Sequence, residues 1–409
     1  MKIWIRFLAG IAIGVGIAFF ADDLETTSAF WEGLSVFAMN LGRYMLIPIA
    51  FFGTSVAVHD LRENSRSLVT YGKAATGIVG TVVLAIALGL VAVLFLNPGP
   101  LPVILEEPPI PEGRSLVGIL QFAVPPNALE ALFTGPEHLL AAVVFATFLG
   151  ATVASDNRYA SLLEDIMDGL SRVFYRINTL IVNVLGIGLI AVAAHTVVRI
   201  RLLGDQAFFA PIILITAVAA GVLTLGIYPL LIYLFGGRWN PLSWVLGMLP
   251  PALAALVSGD TYFAGGTFVH LTRENLGVRR QVAGAIVPFT LLFARAGSAM
   301  VSSMAFILVL GSYSGLDIGV GEVLWVAGVS FVLSFSLVGV PGSGVLVMLG
   351  MLSSGYGQGL EEAFMILRPA APVLLGIAAY VDIMTAGAVV RIVGGSERQL
   401  TLPDVSDFV

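Results

Sequence analysis

Apolar stretches long enough to cross a bilayer recur along the whole chain. A backbone in hydrocarbon must satisfy its N–H and C=O groups internally, so each stretch is expected to be helical. The composition agrees: 58% of the 409 residues are hydrophobic, 11% are charged, and the mean hydropathy is +0.97. The sequence therefore predicts an all-α polytopic membrane protein. The net charge of −6 is spread between apolar stretches, and no basic block suggests nucleic acid. With no cysteine, disulfide frameworks, thiolate catalysis, iron–sulfur clusters and cysteine-ligated zinc are excluded together. No nucleophile elbow, phosphate-binding glycine loop or metalloprotease motif is present, and His59, His138, His195 and His270 lack metal-ligand spacing. An enzyme is not expected, nor a cofactor.

Lys2 and Arg6 precede the apolar run 7–20. It is expected to stay as a first transmembrane helix, since no small-residue cleavage site precedes Asp22 and Asp23. Further spans read at 30–58, 71–96, 116–153 with breaks, 177–198 and 208–235. The stretch 242–275 is then interrupted by Pro250, Pro251, Gly259, Gly265 and Gly266 around Asp260. After it comes 282–310, apolar except for Arg295, whose insertion mid-membrane costs about 2.5–3.5 kcal/mol unless it faces protein or water. A second broken stretch, 320–354, contains Gly339-Val340-Pro341-Gly342-Ser343-Gly344, and the last span, 372–393, carries Asp382. The C-terminal half thus holds one unit twice: a broken apolar hairpin followed by a helix with one ionisable residue.

Basic residues orient the units. Arg62, Arg66 and Lys73 follow the second span, Arg158, Arg172 and Arg176 flank the fourth connection, and Arg238, Arg273, Arg279 and Arg280 bracket the first broken stretch. These ends are expected in the cytoplasm, and the segment 97–113, with Glu106, Glu107 and Glu112 and no basic residue before Arg114, outside. Arg199 and Arg201 are exceptions. On this reading the first hairpin enters and returns from the cytoplasmic side and the second from the opposite side. Opposed units of this kind are the inverted repeat of secondary transporters, whose substrate sits near the midplane where the broken tips meet.

The chain also resembles the glutamate and aspartate transporters, or dicarboxylate/amino acid:cation symporters, over nearly its whole length. The resemblance rests on Arg43-Tyr44-Met45-Leu46-Ile47-Pro48-Ile49-Ala50-Phe51-Phe52, on Pro125-Pro126-Asn127-Ala128-Leu129-Glu130-Ala131, on Asn240-Pro241 with Gly247-Met248-Leu249-Pro250, and on the Gly339–Gly344 run. It implies about eight transmembrane helices plus two oppositely oriented re-entrant hairpins. It further implies a homotrimer in the plasma (inner) membrane, both termini cytoplasmic, working as an elevator. Residues 1–70 and 98–205 would form the scaffold, 71–97 and 206–397 the transport domain, and 398–409 a cytoplasmic tail.

The functional residues of the family carry over poorly. Its Asn-Met-Asp-Gly-Thr signature falls on Ala294-Arg295-Ala296-Gly297-Ser298, so two cation-binding side chains become alanines. The aspartate that holds the substrate ammonium matches Asp382, the arginine that holds an acidic side chain matches Thr385, and a further asparagine and aspartate match Val389 and Val393. Sodium needs oxygen ligands, preferably charged ones, so its coupling is expected to be weakened or lost, and proton coupling stays open. Arg295 supplies a permanent cation that could replace the missing ion, bind a carboxylate beside Ser298 and Ser302, or pair with Asp382 or Asp260. The candidate substrate residues are Asp382, Thr385, Arg295, Ser298, Asp260, Thr261, Pro341, Gly342 and Ser343. Against these stand ordinary roles: Thr385 bonded to a carbonyl one turn back, Ser298 and Ser302 as packing residues, and Asp260 as a helix cap. The preferred reading is a transporter of a small neutral amino acid, a second is a carrier of an amine or organic anion, and a third is an uncoupled channel or sensor.

Overall fold

The computed structural model describes residues 2–20, 24–96, 99, 115–153, 160–203, 206–236, 240–314, 318–357, 360, 363–401 and 408. Among them the regular structure is helical, with one isolated bridge between Val278 and Leu400 besides turns and irregular connections. Nine helical segments among the described residues are long and apolar enough to cross a membrane. Asp22, Asp23, Glu106, Glu107, Glu112, Arg114, Arg158 and Arg238 lie outside the described residues.

The N-terminal half contains α1 (Ile3–Phe19), α2 (Leu24–Arg43), α3 (Leu46–Glu63), α4 (Ser67–Leu96), α5 (Leu116–Ala123), α6 (Glu130–Phe133), α7 (Leu139–Val153) and α8 (Ala160–Leu202). The C-terminal half contains α9 (Ala210–Gly221), α10 (Tyr228–Phe235), α11 (Pro241–Ser258), α12 (Thr261–Glu274), α13 (Arg280–Phe293), α14 (Ala296–Ser314), α15 (Val320–Ser334), α16 (Gly344–Tyr356) and α17 (Ala371–Ser396). Helices α1 and α2 lie along α8, and α3 packs on α7 and α13. Helix α14 is surrounded by α4, α15, α16 and α17, while α17 also touches α11, α12 and α13. This placement answers the cost of Arg295: the best membrane window of Arg280–Tyr313 is 94% buried inside the protein, against 28% for Val320–Leu337. Arg295 therefore meets protein and not lipid.

Three breaks position the site, and two differ from the sequence expectation. The prolines do not break the first interrupted stretch; α11 runs through Pro250 and Pro251 to Ser258, inside a packed bundle that tolerates the lost backbone bond. The chain turns instead at Gly259, whose φ of +67 is left-handed and favours glycine. The stretch 282–310 is not one helix either. It divides into α13 and α14, with Ala294 and Arg295 between them and the Arg295 N–H bonded to the Phe293 carbonyl at 2.9 Å. Arg295 thus stands at the start of α14, its carbonyl accepting from Ala299 at 3.0 Å, and not in the middle of a helix. The third break, at 338–343, falls on the expected Gly-Pro run, with Gly339 and Gly342 at φ +76 and +72.

Candidate functional site

The three breaks converge on the middle of α17. Gly342 sits so close to the Asp260 carboxylate that an added Cβ would lie 3.0 Å from it, and the Gly339 N–H donates to the Tyr262 hydroxyl at 3.3 Å. Between them is a narrow gap with a cavity volume of about 10 Å³, room for about one water. Its polar edge is Thr261, Arg295, Ser298 and Asp382, and its apolar wall includes Val345, Leu375, Ala378 and Ala379.

Asp382 caps a helix it does not belong to. The first N–H groups of any helix lack internal partners, and Arg295, which carries donors only, cannot cap its own. Asp382 Oδ1 accepts from the N–H groups of Gly297 at 2.6 Å and Ser298 at 3.0 Å, while Oδ2 accepts from Ser298 Oγ at 2.7 Å. The approach requires glycine: a Cβ on Gly297 would fall 2.2 Å from the Ala378 carbonyl oxygen. A carboxylate at a helix N-terminus is also favoured by the helix dipole.

Arg295 is 3% exposed and faces the same carboxylate, Nη1 lying 3.8 Å from Asp382 Oδ2. Nη1 also donates to Thr261 Oγ1 at 2.6 Å, and the guanidinium carbon stands 5.3 Å from the Tyr262 ring centroid, a cation–π distance. Nε and Nη2 are buried with no hydrogen-bond partner among the described residues. Two orphaned donors on a buried cation are costly, and the residue that carries them lines the gap.

Asp260 serves the opposite side. It caps α12 by accepting from Tyr262 N at 2.7 Å and Phe263 N at 2.9 Å, and its other oxygen pairs with Arg43 at the end of α2. Arg43 and Tyr228 were not anticipated as neighbours of the site. The run containing Arg43 carried the family resemblance, but nothing local linked it to Asp260, 217 positions away.

Of the anticipated residues, the structure brings Asp382, Arg295, Ser298, Thr261 and Gly342 to the gap. Asp260 touches its edge through Gly342. Pro341 and Ser343 belong to the same 338–343 turn but are not among the lining residues. Ser302 Oγ reaches the Val345 carbonyl at 3.4 Å. Thr385 is turned away: its hydroxyl donates to the Val381 carbonyl at 2.7 Å and meets the Tyr228 hydroxyl at 2.6 Å. Tyr228 opens α10 directly after a π-helical turn at Val222–Ile227. Thr385→Val should accordingly cost about 1–3 kcal/mol, since it orphans the buried Tyr228 hydroxyl, and leave ligand affinity within about twofold. Thermal unfolding and ligand titration of the purified variant measure both.

The comparisons with known proteins agree with one another. A family model described as Sodium:dicarboxylate symporter family matches residues 3–393. The chain is similar to a C4-dicarboxylate transport protein of Paraburkholderia xenovorans (strain LB400), 22% identical over 370 residues, 86% of this chain and 82% of the relative. It is similar also to excitatory amino acid transporter 3 of Mus musculus, 22% identical over 242 residues, 58% of this chain and 45% of the relative. The Homo sapiens form is 23% identical over 261 residues, 62% of this chain and 49% of that relative.

Proposed function

The chain belongs to the sodium:dicarboxylate symporter family, whose members are transporters and not enzymes, and from that premise we propose that it carries a small neutral amino acid across the membrane. The observation that carries this reading is the pair of buried, unpartnered donors on Arg295 at the edge of the gap. A carboxylate would satisfy both in the planar, bidentate manner that guanidinium favours. Asp382 Oδ2, which holds Ser298 Oγ and faces Arg295, keeps acceptor capacity for an ammonium. The wall of Val345, Leu375, Ala378 and Ala379 suits a short apolar side chain, which enters when the tips at 259–261 and 338–343 part, because the closed gap of about 10 Å³ holds no amino acid. A second carboxylate would lie against that wall without a charge-assisted partner, which disfavours glutamate, aspartate and C4-dicarboxylates.

Sodium coupling in this reading is weakened or lost. Ala294 and Ala296 offer no side-chain oxygen, and Arg295 already fills the neighbourhood with a fixed positive charge. The substrate is carried in an elevator motion of 71–97 with 206–397 against the remaining helices, in a homotrimer of the plasma (inner) membrane. This part rests on the resemblance together with the packing of α4 against α14 and α17.

A second reading is favoured by one observation: Asp382 already accepts three hydrogen bonds, so a small monocarboxylate without an ammonium also suits the gap. Thermal unfolding of the purified chain with alanine, serine, propionate, glutamate and succinate, each with and without sodium, separates the possibilities. A ligand at 100 times its Kd should stabilise by about 2.7 kcal/mol. Alanine or serine acting below the concentrations that glutamate and succinate need, without sodium, is the expected result. Propionate matching alanine would move the substrate to monocarboxylates, and a strict sodium requirement would overturn the coupling reading.

A further inference from the structure

A cavity of about 400 Å³ lies elsewhere, between α3, α8, α12 and α13. Arg172 and Arg176 reach it from α8, Arg273 from the last turn of α12, and Arg280 from the first residue of α13. Their carboxylate partners are few. Asp168 serves two of them, accepting from Arg172 Nε at 2.7 Å and pairing with Arg280. Glu274 accepts from the Tyr175 hydroxyl at 3.2 Å, and the Arg273 guanidinium carbon stands 5.4 Å from the Tyr175 ring centroid. Arg176 and Arg273 have no carboxylate within ion-pairing distance among the described residues. The cavity therefore carries surplus positive charge, while its other wall is apolar, with Ile49, Val287 and Pro288. Arg273 and Arg280 bracket the turn between α12 and α13, Arg172 and Arg176 lie one turn apart within α8, and the apolar wall runs along α3 and α13.

We propose that this cavity binds a phosphate-bearing anion, its oxygens held by Arg176 and Arg273 with Arg172 and Arg280 beside them. Four arginines bordering one space offer guanidinium forks that match the tetrahedral oxygens of a phosphate better than a single carboxylate does. The apolar wall next to the arginines gives an acyl chain a place to lie, so an anionic phospholipid head group supplies this chemistry most directly; a soluble phosphate ester is the other source. The inference stands apart from the substrate reading, because it shares no residue with the gap at Arg295.

The test uses the full chain in detergent, titrated with phosphatidylglycerol, phosphatidylcholine and glycerol phosphate, with bound species read by native mass spectrometry and stability by thermal unfolding. Phosphatidylglycerol should bind about tenfold or more tighter than phosphatidylcholine, and this preference should weaken with salt. The double variant Arg176→Ala, Arg273→Ala should lose that preference by a similar factor or more, since each charge-assisted bond contributes about that much. These two arginines are chosen because neither holds an ion pair that the fold uses. Arg176→Lys with Arg273→Lys, which keeps the charge, should retain part of the preference. Glycerol phosphate competing at millimolar concentration would identify a soluble ester as the source. Equal binding of the two lipids with no response to glycerol phosphate would overturn the proposal, as would wild-type preference in the alanine variant.

Discussion

Asp382→Ala should lower the stability of the protein by about 3–5 kcal/mol, the usual cost of stripping one partner from a buried ion pair. Two losses combine in that figure. Arg295, 3.8 Å away and almost wholly buried, is left without its counter-ion, and the N–H groups of Gly297 and Ser298 with the Ser298 hydroxyl lose their acceptor. Asp382→Asn should fall between wild type and alanine, because an amide oxygen still accepts the cap but brings no charge. Thermal unfolding in mild detergent ranks the three. If both variants unfold with the wild type, Asp382 does not hold α14 and α17 together as described.

Arg295→Gln should weaken substrate binding about 100-fold or more, from two charge-assisted hydrogen bonds at about 1.5 kcal/mol or more each. The charge-conserving change separates its two possible duties. If Arg295 acts only as a fixed cation, Arg295→Lys should restore binding. If it grips the carboxylate through Nε and Nη2, lysine should recover only part, since a point charge cannot reproduce the fork. Ligand-induced thermal shifts read both variants, and sodium is the added arm. Binding by Arg295→Gln that becomes sodium-stimulated would mark the guanidinium as a replacement for an ion. Unchanged affinity in Arg295→Gln would remove it from the site.

Much of the helical framework was legible, because the bilayer leaves so few alternatives and the glycines at 259, 339 and 342 mark real turns. The prolines were misleading: Pro250 and Pro251 look like breakers in a one-dimensional reading but lie within α11. The break at Arg295 was not legible at all. Its neighbours Ala294 and Ala296 are good helix formers, and the cap that stabilises the new helix start comes from Asp382. The same limit hid the Arg43–Asp260 pair. Helical spacing set Thr385 near Asp382, but α10 decides where that hydroxyl points, and spacing along α17 contains no information about α10.

The cap of α14 also sets an order of events during synthesis. Gly297 and the carboxylate that receives its N–H are 85 residues apart, so a ribosome adding about 5–20 residues per second makes the second roughly 4–17 s after the first. During that interval Arg295 is in place without Asp382, and α14 begins without its acceptor. The nascent chain must shelter a bare guanidinium until the final helix arrives, in the translocon or against the helices already made. Chains arrested before residue 382 should therefore be recognised as unfinished by the quality-control proteases of the membrane, although nearly all of their spans have been inserted.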